Sequence, residues 1–244
     1  MTGRERFARA AAGEGVAFVP YVWEQLPQFV RQPVEGWRDD PTTARRLLHD
    51  AASLAAADGM IIGSGPDTVR RAAAAGETGP DALDGLAGTE AARRGYELVE
   101  VLVASVPFAV VAALPDLTTL ERELGEDDPE AAEIAEDALA DLARGFLEAG
   151  ADALAVIAGD PDSVRATARR VSGVARYYGR PVVVACVSPA DPGGSVEGEG
   201  SVPVAVVGDD SPSPELQSGV ILTDGDVSTR WDADRLHALG RRIA

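Results

Sequence analysis

The chain has 244 residues, 45% of them apolar, which suits one large α/β domain or two small ones and excludes a disordered chain. Acidic residues outnumber basic ones 40 to 22, giving a net charge of −18, and every basic residue is arginine. Such a chain repels phosphate backbones, so no nucleic acid is expected as a partner.

No window approaches the roughly 18 uncharged apolar residues of a membrane span, so no membrane is expected either. The opening residues carry charges every few positions and no apolar signal block, and the lone Cys186 cannot close an internal disulfide. The expected location is the cytoplasm. GC-rich coding explains arginine in place of lysine but not the surplus of Asp and Glu. Adaptation to a high-salt cytoplasm, with an acidic hydrated surface, explains the surplus.

In chain order, a helix over 4–12 leads into a strand over 16–22, then a loop rich in Pro, Gln and Trp over 23–40. Asp40 followed by Pro41 reads as a helix cap with proline at the first helical position, opening a helix to about 57. The run 59–63 is a buried strand, and 66–88 reads as short helices and loop. A helix over 90–104 precedes a strand over 106–114. Asp128-Pro129 repeats the cap signature ahead of a helix with one apolar stripe, from Ala131 through Ala135 and Leu142 to Phe146. Gly150 ends that helix and 153–158 is the next strand.

Asp160-Pro161 caps a helix to 178, and 181–187 is a buried strand. Residues 188–201 form a Pro/Gly/Glu loop, a candidate lid. Strands over 202–207 and 219–223 and a helix over 232–243 complete the chain. About seven strands with helical crossovers predict an α/β fold, a (β/α)8 TIM-barrel-like single domain over 1–244 with abbreviated C-terminal units. An open doubly wound sheet is the alternative.

The opening RERFARAAAGEGVAFVPYVWEQ resembles the start of uroporphyrinogen decarboxylases and the related corrinoid methyltransferases, which begin with a helix R-x-R-F-x-x-A-x-x-G-E and a strand ending in P-x-W. The stretches DPTTARRLLHDAASLAAADGMIIG, VPFAVVAALPDLT, FLEAGADALAVIAGD and PVVVACV resemble later elements of that superfamily in the same order. The resemblance implies the barrel and a possible homodimer.

It also implies where chemistry would sit. The decarboxylases of this superfamily hold substrate carboxylates with an Arg-rich loop after the first strand, because a guanidinium binds a carboxylate bidentately. They face the pyrrole nitrogens with an aspartate after the second strand. Here the first loop offers Arg31 alone, with Glu24 near the strand end. Gly63-Ser64-Gly65 stands where the aspartate is expected, and Asp67 lies two residues on. The methyltransferases bind zinc through His-x-Cys and a later cysteine. Aligning Cys186 puts Val184 at the histidine, and there is no second cysteine; a buried apolar cysteine is the simpler reading. His49 and His237 fall on helices.

In a barrel, residues just past the strand ends meet at one mouth. Those positions here include Trp23, Glu24, Ser64, Asp67, Asp116, Asp160, Ser188, Asp209, Asp210, Asp224 and Asp226. Converging carboxylates can hold a cation or an amine-bearing ligand, while helix caps and a generally acidic chain place acids there without any function. The candidate catalytic residues are Glu24, Asp67 and Asp224. Trp23, Gln25, Arg31, Ser64, Asp116 and Arg230 are the candidates for binding a small molecule at the mouth.

No metal site and no cofactor are expected. Two functions stand. One is an enzyme, a lyase if decarboxylase-like, acting on a tetrapyrrole or in corrinoid-linked methyl transfer. The other is a non-catalytic barrel homologue serving as a scaffold or ligand-binding subunit.

Overall fold

The computed structural model describes residues 1–32, 34–125, 131–158, 160–186, 201–202, 204–207, 219–223, 237–238 and 240–241. The elements in order are α1 (Gly3–Ala11), β1 (Val16–Val19), α2 (Leu26–Phe29), α3 (Pro41–Ala55), β2 (Gly59–Ile62), α4 (Ser64–Ala74), α5 (Pro80–Gly85), α6 (Glu90–Ser105), β3 (Ala109–Leu114), α7 (Leu117–Leu124), α8 (Ala131–Glu148), β4 (Ala153–Ala158), α9 (Pro161–Tyr177), β5 (Val182–Cys186), β6 (Ser201–Val202), β7 (Val204–Val207) and β8 (Gly219–Thr223).

All strand pairs are parallel, in the orders β2-β3-β4-β5-β6 and β1-β8-β7. β6 and β7 are one position apart in sequence and together hold one place between β5 and β8. The Asp58 amide, donating to the Phe18 carbonyl at 2.8 Å, joins β1 to β2 and closes the ring. This is an α/β barrel of the TIM type. The pairing of β1 with β8 rules out the open doubly wound sheet.

Alternation along each strand separates two layers. Ala17, Val19, Ile61, Ala109, Val111, Ala113, Ala153, Ala155, Val183, Ala185, Val220 and Leu222 fill the inside of the ring. Phe18, Met60, Ile62, Val110, Leu154, Val156, Val184 and Ile221 face the helices. Alanine dominates the inner layer, so the ring is packed shut by small side chains rather than left as a pore.

The N-terminal end of the barrel is plugged by α1. Phe7 and Ala10 join the inner layer. Arg4 donates to Asp152 at 3.0 Å, and Arg6 pairs with Asp58. These two acids, 8% and 2% exposed, occupy matching places just before β4 and β2. Each also accepts a backbone N–H from the neighbouring strand, Asp58 from Phe18 at 3.0 Å and Asp152 from Val110 at 2.9 Å.

The Asp-Pro caps form as read. Asp40 accepts from the Thr42 amide at 3.0 Å and Asp160 from the Ser163 amide at 2.7 Å. The region over 66–88 holds short helices and loop as read, except that its first helix starts two residues earlier. A regular helix, α4, begins at Ser64, and Pro66 is tolerated because the first turn has no intrahelical partner for its missing N–H. The cap at Asp128-Pro129 and nearly all of the candidate lid lie outside the described residues. Of the closing helix, only 237–238 and 240–241 are described, and they are helical. Among the described residues no helix is long and apolar enough to cross a membrane.

Candidate functional site: an arginine-clamped rim at the barrel mouth

The C-terminal ends of β1 and β2 carry one polar cluster. After β1 the chain turns through Trp23–Gln25 and α2, then returns through a second short turn, Trp37–Asp39. This return sets Trp37 against Trp23, edge to face, with ring centroids 4.7 Å apart. Both indoles are buried, and the Arg38 guanidinium lies 4.9 Å from the Trp37 ring centre. The Trp23 ring occupies the space beside Gly63, where any Cβ would overlap the indole. Glycine at 63 is therefore a packing requirement.

Four charged groups interlock around these rings. Arg38 Nη2 donates to Glu24 Oε2 at 2.9 Å, and its Nε faces Asp67 Oδ2 at 3.3 Å. Arg70 Nη2 donates to Glu24 Oε1 at 2.7 Å and also pairs with Asp67. The Trp23 Nε1–H donates to Asp67 Oδ2 at 2.9 Å. Two carboxylates and two guanidinium groups thus neutralise one another. Partial burial opposes the Arg70 charge, but the hydrogen bonds and charges of Glu24 and Asp67 outweigh it and raise its pKa above the ordinary arginine value.

Tyr21 stands beside the cluster, half-buried and in contact with both core layers. Burial, then the negative charge of Glu24, pushes its phenol up to about 12, against the pull of Arg70 and Arg38. A raised folded-state pKa means that the stabilisation is full below the unfolded value, about 10, and is lost as pH rises through about 12. We therefore expect absorbance titration at 295 nm to show a late phase that Tyr21→Phe diminishes. Loss of amplitude near pH 10 with the late phase intact would instead place the phenol in open solvent.

The cluster brings together three of the residues singled out above: Trp23, Glu24 and Asp67. Ser64 opens α4 next to them, 5% exposed, its hydroxyl without a hydrogen-bond partner among the described residues. Gln25 is half-buried on the same turn. Arg31 is exposed, lies in the left-handed region at φ 54°, and joins no ion pair among the described residues. Asp116 caps α7, accepting from Thr119 N at 3.1 Å, Thr119 Oγ1 at 2.6 Å and Ser163 Oγ at 2.7 Å. Asp224 and Arg230 lie outside the described residues, as do Ser188, Asp209, Asp210 and Asp226. Arg38, Arg70 and Tyr21 were not singled out in sequence. Only the Asp67/Arg70 spacing of three on a helix gave any sign.

Both histidines of the chain lie at the opposite end of the barrel. His49 lines a hollow with Gly3, Arg6 and Phe108, and His237 contacts the Leu54 carbonyl at 3.0 Å. Val184 faces the helices rather than the inside of the ring. Among the described residues no group of three His, Cys, Asp or Glu is placed to hold a metal ion.

No protein-family model matches the chain, and no curated protein matches it. Among solved structures, a methyltransferase from Methanosarcina mazei superposes with a TM-score of 0.70 at 16% identity, over 99% of this chain and 98% of that one. The likeness is one of fold. A tryptophan synthase alpha chain from Legionella pneumophila subsp. pneumophila aligns over 100% of this chain and 97% of its own, at 13% identity and a TM-score of 0.47, too low to argue from. The whole-length superposition on the methyltransferase agrees with the closed ring described above.

Proposed function

We propose that this chain is a non-catalytic barrel homologue that binds a carboxylate-bearing small molecule, of the tetrapyrrole class, at its C-terminal mouth. The observation that carries the reading is the double clamp: Arg38 and Arg70 each engage both Glu24 and Asp67. Decarboxylation of a pyrrole acid requires a carboxylate free to face the ring nitrogens. Asp67 has two guanidinium groups and an indole N–H on it instead. Zinc-dependent methyl transfer to a thiol requires histidine and cysteine ligands at the mouth, and both histidines are at the other end.

What the rim offers is recognition. The Arg70 side chain is half exposed, so its outer N–H groups can meet a ligand carboxylate without dissolving the clamp. Tyr21 supplies a phenol that stays protonated through neutral pH.

The test is thermal unfolding in molar KCl with coproporphyrinogen, uroporphyrinogen (which still carries the acetate groups a decarboxylase would remove), methylcobalamin, Mg²⁺ and Zn²⁺, each followed by product analysis. Ligand at 100 times its Kd adds about 2.7 kcal/mol to the folded state. Coproporphyrinogen should raise the midpoint, Arg70→Ala should remove the shift, and no product should form. Decarboxylated product, or methyl transfer from methylcobalamin to an added thiol, lost in Asp67→Asn or Asp224→Asn, would establish the enzyme reading instead. No shift with the tetrapyrrole would overturn ligand binding.

A further inference from the structure

A second cavity lies at the other end of the barrel, where α1 crosses the C-terminal end of α9 and the start of β5. It measures about 650 Å³, within the range of small-molecule sites. Its floor is apolar, built from Phe7, Ala8, Ala11, Ala175, Pro181 and Val182. Its polar groups are dominated by guanidinium: Arg4, Arg176 and Arg180 line it, against two carboxylates.

Both carboxylates already have partners. Glu5 accepts from the Thr2 amide at 2.6 Å as part of the α1 cap. Asp152 accepts from Arg4 and from the Val110 amide, and Arg180 approaches its other oxygen only to 3.8 Å. Arg176, exposed on α9, has no ion pair among the described residues, and Arg4 keeps Nη2 buried without an acceptor there. In a chain with nearly two acids for each arginine, this cleft gathers unsatisfied positive charge over an apolar floor.

We infer that the cleft binds a free, single-chain amphipathic carboxylate. The head sits on Arg176 and Arg180, and the tail lies along Phe7, Ala11 and Val182. Charge selects the head, because a guanidinium pairs bidentately with a carboxylate. The floor selects the tail by removing apolar surface from water. The site is separate from the mouth and stands whether or not the mouth binds a ligand.

Isothermal titration of the full chain with sodium decanoate in KCl, below its micelle concentration, tests this. One decanoate should bind per chain, and decyltrimethylammonium, with the same tail and the opposite charge, should not. Arg176→Gln and Arg180→Gln, both at exposed positions, should each weaken decanoate roughly tenfold or more, the loss expected of a charged hydrogen bond. Ala8→Trp, also at an exposed position, should fill the cleft and abolish binding, with circular dichroism confirming that each variant folds. Arg70→Ala should leave the affinity unchanged. Absence of decanoate binding, equal binding of the cationic amphiphile, or indifference to Arg176→Gln and Ala8→Trp would each overturn the proposal.

Discussion

Asp58→Ala should destabilise the chain by about 3 kcal/mol, the low end of what removing one partner of a buried pair costs. Two interactions converge on this carboxylate, which is 2% exposed: the Arg6 guanidinium and the Phe18 N–H, beside the main-chain bond by which residue 58 joins β1 to β2. Alanine leaves the buried Phe18 N–H without its acceptor, an exposure penalty of about 1–3 kcal/mol by itself. The remainder is the loss of the Arg6 pair, moderated because Arg6 is 30% exposed and can turn to water. For a chain of this length, 3 kcal/mol corresponds to a fall in midpoint of roughly 6–12 °C. Arg6→Ala alone should cost less, and the double variant should cost less than the two losses summed, because the residues share one interaction. A loss below about 0.5 kcal/mol in Asp58→Ala would show that the plug helix is not coupled to the ring.

Trp23→Ala is the second large effect, expected at about 3–5 kcal/mol. The ring is 1% exposed, lies against Gly63 and Trp37, and holds Asp67 through its N–H. Two outcomes separate packing from polar anchoring. Trp23→Phe should keep most of the packing and lose the N–H, costing about 1–2 kcal/mol. If the anchor matters to the rim, Trp23→Phe should also weaken the tetrapyrrole-dependent shift, since Asp67 then has one partner fewer. Urea unfolding of both variants reads the first effect, and the ligand-dependent midpoint reads the second. A Trp23→Ala loss as small as that of Trp23→Phe would mean that the indole sits in a loosely packed pocket.

The sequence made the barrel legible wherever local chemistry decides the structure. Asp40-Pro41 and Asp160-Pro161 carry a cap and a preset φ in adjacent residues, so two helix starts could be placed to the residue. Buried parallel strands read as short apolar runs because both faces are covered. The start of α4 was not legible, because Ser-Gly-Pro-Asp has the composition of a turn and its helical role depends on Gly63 yielding to Trp23.

The site was half legible. Position after a strand end picked out Trp23, Glu24 and Asp67, and the structure gathers them. It could not show that Arg38, 14 residues from Glu24, and Arg70, 46 residues away, close over the same carboxylates. Nor could it show that Asp116, equally well placed, is engaged in capping α7. The R-x-R-F opening was visible as a resemblance. Its meaning, two arginines reaching two buried acids that precede alternate strands, needs the closed ring.

The register of β1 on β8, from Val16 opposite Gly219 to Val19 opposite Leu222, has a consequence for synthesis. The first strand leaves the ribosome about 200 residues before its partner exists. Until then its edge is an unsatisfied row of amides and carbonyls, open to pairing with a neighbouring chain. α1, made just before β1, is the first element able to pack on it.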